Sequence, residues 1–158
     1  MFDWERRVLG SAPVDHVLSV RARVETRATT GTAWLVTGFF APDVWTRWQV
    51  GLVHGSLNLY TAEPLDLPSP VRLQLPETVR ALLLQWKMES LADRWREVDV
   101  CPALVDRKAL AFVIRQSVPD NPKFFEMFAP THLTSRLGLR DGSEVQLDLR
   151  SGSRSNLA

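Results

Sequence analysis

A serine and an asparagine one residue apart form the most chemically suggestive pattern in the chain, Gly55-Ser56-Leu57-Asn58. The glycine is typical of a turn, and the residues after it predict a strand over 56–61. Since side chains two residues apart in a strand lie on the same face, Ser56 and Asn58 could both be aimed at one ligand. Serine and asparagine also favour ordinary turns, because they bond to nearby backbone groups. The pattern alone leaves a binding role and a structural role open.

The other reactive residue types match no known catalytic or metal-binding motif. The sequence has no Walker loop, no dinucleotide-binding glycine motif, no serine-hydrolase elbow and no zinc-protease motif. His16, His54 and His132 are far apart, and with one cysteine they make no zinc-ligand spacing. Cys101 precedes Pro102 in an apolar stretch, which favours a buried thiol over a nucleophile. No catalytic residue is therefore identified from these side chains.

Length and composition limit the class of protein. The chain has 158 residues, 45% of them apolar and 23% charged, which is typical of one globular domain with its own core. The net charge of +1 argues against a nucleic-acid partner. No apolar run approaches the roughly 20 residues that span a bilayer, so no membrane partner is expected. The single cysteine and the lack of a secretion signal favour the cytoplasm.

The elements needed to position Ser56 and Asn58 are short strands separated by glycine and proline. The hydrophobic pattern predicts strands over 17–27, 33–37, 56–61, 71–75, 96–105, 109–115 and 145–149. It predicts one short helix that begins near Asp43, a possible N-cap. It predicts further helices over 78–88, around 124–128 and over 133–139. This arrangement favours a small barrel. We expect one barrel domain over 1–150 and a disordered polar tail over 151–158.

Six tryptophans are a generous number for a chain of this length, and five of them fall between Trp34 and Trp95. Large aromatic side chains most often serve as packing in cores and on surfaces. They can also stack on a planar ligand in a pocket. The sequence keeps both interpretations open.

Three segments, taken in order, resemble the archaeal-type CTP-dependent riboflavin kinases. They are Gly55-Ser-Leu-Asn-Leu59, Phe125-Glu-Met-Phe-Ala-Pro130 followed by Leu133, and Leu137-Gly-Leu-Arg-Asp-Gly-Ser-Glu-Val145. Family members typically show Gly-Thr-Leu-Asn, then Glu-Ile-Ile-Ala-Pro-x-x-Leu-Arg, then Leu-Gly-Leu-Lys-Asp-Gly-Asp-x-Val. The resemblance covers about 20–149. It implies a mainly β fold, a six-stranded cradle-loop barrel with two or three short helices, and formation of FMN from riboflavin and CTP.

The resemblance also implies roles for individual residues. Ser56 and Asn58 match the residues that hold Mg²⁺, an ion that takes oxygen ligands. Ser117 and Glu126 match the flavin-binding residues, and a carboxylate can accept from the flavin imide N–H while a hydroxyl serves a ring carbonyl. The positions that match the nucleotide-binding segments are Thr29, Thr30, Gly31, Thr32, Thr131, His132, Leu133 and Thr134.

Two departures from the family pattern fall on the nucleotide half of the implied site. The family's Gly-x-Gly-x-Gly loop, whose glycines let backbone N–H groups close on phosphates, is here Arg27-Ala-Thr-Thr-Gly-Thr32. The family's Leu-Arg-Glu is here Leu133-Thr-Ser135. The alternative hypothesis is therefore a non-catalytic flavin- or nucleotide-binding module, and a third is a barrel-shaped interaction domain without a small ligand. The phosphate donor and the oligomeric state stay open.

Overall fold

A computed structural model describes residues 1–9, 17–26, 33–53 and 56–151, with side chains left undescribed at 33–35. Its strands are β1 (Val17–Val24), β2 (Leu57–Tyr60), β3 (Val71–Gln74), β4 (Glu97–Val105), β5 (Ala109–Gln116), β6 (Phe124–Phe128) and β7 (Glu144–Arg150). Its helices are α1 (Asp3–Leu9), α2 (Ala33–Phe39), α3 (Ala41–Trp48), α4 (Glu77–Gln85), α5 (Glu89–Arg94) and α6 (Leu133–Leu137). None of the helices in this described part is long and apolar enough to cross a membrane.

Six of the strands close into an antiparallel barrel, as the sequence predicted. The order is β4-β5-β6-β2-β1-β7, and β7 pairs back with β4 to complete the ring. Closure leaves no free strand edge within the ring, which removes the usual site of edge-to-edge aggregation. The described residues include six short helices, more than the two or three expected.

The seventh strand, β3, shares one edge of β4 with β7. β3 pairs with the first part of β4, up to Val71 opposite Val100, and β7 pairs with the last part, from Ala103 opposite Leu149. Pro102 lies between these two stretches. Proline has no N–H to donate, and its position between the two pairings removes no hydrogen bond from the β3–β4 pair or from the β4–β7 pair.

Two hydrophobic cores lie on the two faces of β4 and β5. The barrel interior is filled by alternate residues such as Ala111, Val113 and Leu147. The helices α1 to α5 cover the other face, where Phe112 and Ile114 pack against residues such as Leu83. Burial on both faces explains why β5 is an almost unbroken apolar run rather than a polar–apolar alternation.

Two segment predictions were wrong in type. The segment 33–37, predicted as a strand, belongs to α2. A stripe with a spacing of four residues explains the helix, since Val36, Phe40, Val44 and Trp48 are all buried on one side of α2 and α3. Asp43 lies in the first turn of α3, whose N-cap is Phe40, so Asp43 is not the cap.

The segment 124–128, predicted as a helix from its aromatic spacing, is strand β6. Phe125 and Met127 enter the barrel core, whereas Phe128 packs on the helix-covered side. Aromatic residues on both faces gave the segment no polar side that would mark it as a strand. In the expected tail Ser151 is buried, and residues 152–158 lie outside the described residues.

Candidate functional site

Asn58 lies near the start of β2, and Ser56 lies just before the strand. Leu57 and Leu59 alternate with them and are buried inside the barrel. Ser56 is exposed just before the strand begins, and Asn58 is half-buried. The predicted strand over 56–61 is therefore confirmed for 57–60, with Ser56 just outside it and Gly55 outside the described residues.

β6 places Glu126 directly opposite Asn58. The two strands are antiparallel, with Leu57 opposite Met127 and Asn58 opposite Glu126. Residues opposite each other in such a pair have Cα atoms about 4.5–5.5 Å apart. Glu126 is only 5% exposed, which is unusual for a carboxylate. The fold thus brings a sequence-predicted metal residue and a sequence-predicted flavin residue side by side.

A small cavity of about 90 Å³ joins Ser56 to the segment after β6. Its walls include Thr131, His132, Leu133 and Thr134, the four residues matched to the second nucleotide-binding segment. His132 is the N-cap of α6 but makes no side-chain capping bond. The first predicted nucleotide segment, Thr29 to Thr32, lies outside the described residues.

A larger cleft of about 300 Å³ lies where β5 ends and β6 begins, on the other side of Glu126. Its apolar walls come from Trp95, Ile114, Phe124 and Phe125. Its polar lining consists of Arg94, Arg115, Gln116, Asp120, Asn121 and Glu126. Mainly apolar walls with a few convergent polar groups are what small-molecule sites usually show.

Ser117, the second predicted flavin residue, lines a neighbouring cavity of about 450 Å³ and not the cleft that holds Glu126. Its hydroxyl donates to Oδ1 of Asp99 at 3.1 Å. The two cavities share Arg94, Gln116 and Asp120. The predicted pair of flavin residues is therefore divided between adjacent cavities.

Sequence reasoning missed Arg115 and Trp95, which both line the cleft. Arg115 is the cross-strand neighbour of Asp99, and its Nη2 donates to the carbonyl oxygen of Leu65 at 2.5 Å. Burial lowers the pKa of Arg115, and the negative charges of Asp99 and Asp66 act in the opposite direction. The alternation of β5 places Arg115 on the barrel-facing side of the strand with Ala111 and Val113. A charged residue at a barrel-facing position was the signal that the sequence offered.

A buried ion pair fixes the segment that carries Thr131. Arg136 on α6 donates to both carboxylate oxygens of Glu5, at 2.7 and 2.9 Å, and to the Thr131 hydroxyl at 3.2 Å. Glu5 is fully buried and also accepts from the backbone N–H of Leu110 at 2.6 Å. Burial would raise the pKa of Glu5, but these hydrogen bonds outweigh it and lower the pKa.

The described residues contain no cluster of three or more His, Cys, Asp or Glu side chains that could hold a metal ion. A cation at this site would depend on hydroxyl and amide oxygens. Cys101 is fully buried, and burial raises its pKa to about 12, so the thiol is inert as the sequence indicated. No family model matches the chain, and no curated protein matches it either.

Proposed function

We propose that the protein is a riboflavin kinase-like phosphotransferase, which forms FMN from riboflavin and a nucleoside triphosphate, with CTP as the donor expected from the resemblance. The observation that carries this proposal is the order of residues along the β2–β6 pair. The cavity beside Thr131 and His132 lies at one end, Ser56 and Asn58 follow, and the cleft of Glu126 comes next.

That order is the one phosphoryl transfer needs. The donor phosphates and the acceptor hydroxyl must approach from two sides of one charge-neutralising point. In the proposal the nucleotide lies at the 131–134 side, and the flavin ring lies in the cleft, with its ribityl chain directed along β2 toward Asn58. The protein's contribution is then mostly positioning, which can lower a barrier substantially without a covalent step.

Ser56 and Asn58 are the residues proposed to hold Mg²⁺. The donor set fits, because a hydroxyl and an amide carbonyl are hard oxygen ligands, and Mg²⁺ keeps several waters instead of needing a full protein cage. The chemistry that the bound ion supplies is neutralisation of the phosphate charge. Glu126 is proposed to accept a hydrogen bond from the flavin imide N–H.

A second candidate is a flavin-binding module without kinase activity. The observation that favours it is the difference in size between the two cavities, about 300 Å³ on the flavin side and 90 Å³ on the nucleotide side. Small-molecule pockets usually measure about 300–1,000 Å³, so the described residues offer a better cavity for the flavin than for the nucleotide.

The test is an assay of the full chain with riboflavin, Mg²⁺ and CTP, ATP or GTP in turn, with FMN measured by chromatography. The proposal expects FMN with at least one donor. Asn58→Ala should reduce FMN formation by about 100-fold or more, because a group acting on the transferred phosphate is lost.

The matched control is Gln74→Ala, which makes the same kind of truncation at an exposed position of β3, with three strands between β3 and β2 in the sheet order. It should leave the rate unchanged. Bound riboflavin with no FMN from any donor would favour the binding module. An Asn58→Ala protein that retains full activity would contradict the metal assignment.

A further inference from the structure

A groove of about 310 Å³ lies between α1 and the last turn of α3. We call it the α1–α3 groove, and its lining residues are Trp4, Arg7, Val8, Arg47, Trp48 and Gln49. None of these six residues lines the cavities described above beside Ser56, Glu126 and Ser117. The α1–α3 groove is therefore separate from the proposed kinase site.

The aromatic walls of the α1–α3 groove are held in place by the rest of the fold. Trp48 is buried, and its ring packs on Phe112 of β5 with the ring centroids 5.1 Å apart. Trp4 is half-buried and stacks on Phe2 with the centroids 6.3 Å apart. The buried carboxylate of Glu5 anchors α1 to the barrel. Walls that are already in place reduce the entropy that a ligand must lose the protein on binding.

Two guanidinium groups make the α1–α3 groove positively charged. Arg7 extends from α1, and Arg47 extends from α3 with its Cζ over the Trp48 ring at 5.6 Å. The described ion pairs include Arg6, which lies 3.9 Å from Asp3, but they do not include Arg7. Among the described residues that line the groove, none is acidic. An anion in the groove therefore meets two positive charges on these walls.

The end of α3 acts against an anion, because carbonyl groups at a helix C-terminus carry partial negative charge. The side-chain amide of Gln49 donates to the carbonyl oxygens of Trp45 at 3.0 Å and Thr46 at 3.4 Å. The backbone N–H of Gln49 also donates to the Trp45 carbonyl at 2.8 Å. A helix end amounts to roughly half a charge, and here it is hydrogen-bonded, so the two full charges of Arg7 and Arg47 outweigh it.

We propose that the α1–α3 groove binds a small planar anion, an aromatic ring that bears a carboxylate or a phosphate. Arg7 and Arg47 bind the acid group, because the planar guanidinium matches the geometry of carboxylate and phosphate oxygens. The indole rings of Trp4 and Trp48 contact the ligand ring. The volume is near the lower end of the usual range for small-molecule pockets, about 300–1,000 Å³, which fits a ligand of one or two rings.

This proposal also gives two of the six tryptophans the stacking role that the sequence left open beside packing. It does not depend on the proposed function, because the groove shares no lining residue with the β2–β6 site. An assay for FMN and a test of the groove can therefore fail independently.

The experiment is an NMR titration of the full chain with benzoate or phenyl phosphate at constant ionic strength, in which the indole N–H signals of the tryptophans are followed. Trp4→Phe and Trp48→Phe assign the two signals that should shift. Benzamide is the neutral counterpart of benzoate, and cyclohexanecarboxylate is its non-aromatic counterpart. Each should bind at least about fivefold more weakly than benzoate, since one lacks the charge and the other lacks the ring.

Arg7→Gln should weaken benzoate binding by about fivefold, because it removes one of the two charges that hold the acid group. The matched control is Arg6→Gln, the neighbouring arginine of α1, which does not line the groove. It removes the same charge and should change the affinity by less than about twofold. Both arginines are exposed, so both variants should keep the melting temperature of the wild type.

The proposal would be overturned if benzoate bound no more tightly than benzamide or cyclohexanecarboxylate, since charge or aromaticity would then not matter. Equal losses of affinity in Arg7→Gln and Arg6→Gln would also overturn it, because the anion would then respond to the overall charge of α1. If the signals of Trp4 and Trp48 did not shift with either anion, the groove would not be a small-anion site. If a thymidine oligonucleotide shifted them instead, the groove would be a nucleic-acid surface and the proposal would be wrong.

Discussion

Arg136 and Glu5 illustrate how single residues tie helix α1 to the barrel. The carboxylate of Glu5 is fully buried, while the Arg136 side chain is 20% exposed and lies over the Phe2 ring at 4.6 Å. Arg136 also donates to the Lys108 carbonyl oxygen at 2.9 Å. A carboxylate in such a position stabilises the fold only while it is ionised and paired.

We predict that Glu5→Gln lowers the free energy of unfolding by about 3 kcal/mol near pH 7, because it leaves a partly buried guanidinium without its anion. Since the folded-state pKa of Glu5 is below its ordinary value of 4.5, this stabilisation is present above that pH and is lost as the pH falls toward the folded-state pKa. Urea midpoints measured from about pH 7 to pH 3.5 should show the loss in wild type and a flatter curve in the variant.

Exposed Glu63 provides the control, because Glu63→Gln should change neither the midpoint nor its pH dependence by much. Parallel pH curves for wild type and Glu5→Gln, with a loss of stability equal at all pH values, would contradict the prediction and assign Glu5 a packing role only.

Residue-level reasoning singled out some of the residues at the candidate site and did not single out others. Ser56, Asn58 and Glu126 could be singled out because their neighbours carry a recognisable pattern. Arg115 and Trp95 have no such neighbours, and their place beside the cleft depends on strand register and on a helix end packing beside β5. Contacts between distant segments are set by the whole fold, so local patterns do not reveal them.

At the scale of elements, the two wrong assignments share one physical cause. β6 is buried on both faces, and α2 is an apolar run of seven residues, AWLVTGF, too short to reveal a period by itself, so polar residues do not mark the period of either segment. By contrast, β1 and β7 keep one polar face, and their predicted extents were close to the observed ones. The period of a hydrophobic pattern is informative only where one face contacts water.

The end of α6 supports a prediction about the segment that carries His132. Gly138 is the C-cap of this helix with φ of 64°, and its N–H donates to the Thr134 carbonyl. A side chain at this φ is strained although no atom lies within 4 Å of the added Cβ. Gly138→Ala should therefore lower the unfolding free energy by about 1 kcal/mol through the backbone alone.

Gly51→Ala is the matched control for the cap. Gly51 also has open space around an added Cβ, and its φ lies outside the left-handed region. Thermal unfolding should show a lower midpoint for Gly138→Ala and little change for Gly51→Ala. Equal midpoints for the two variants would mean that the α6 cap contributes nothing to stability.

At the scale of the whole molecule, β4 and β5 belong to both hydrophobic cores. One face of this strand pair closes the barrel, and the other supports the helical layer. If β4 or β5 unfolded, both the barrel core and the core under the helical layer would therefore be exposed. The sequence predicted the barrel from its short strands, but the helical layer depends on how distant helices pack, which no local pattern specifies.

This sharing predicts that the barrel and the helical layer unfold together. In urea, tryptophan fluorescence reports the helical layer through buried Trp48 and Trp95, and far-UV circular dichroism reports the strands; the two transitions should coincide.

Leu83→Ala in the helical layer and Leu147→Ala in the barrel should each cost about 2–5 kcal/mol, since both side chains are fully buried. Within each variant, the fluorescence midpoint and the circular dichroism midpoint should shift by the same amount. If Leu83→Ala moved only the fluorescence transition, the helical layer would be a separate unfolding unit, and β4 and β5 would not couple the two cores.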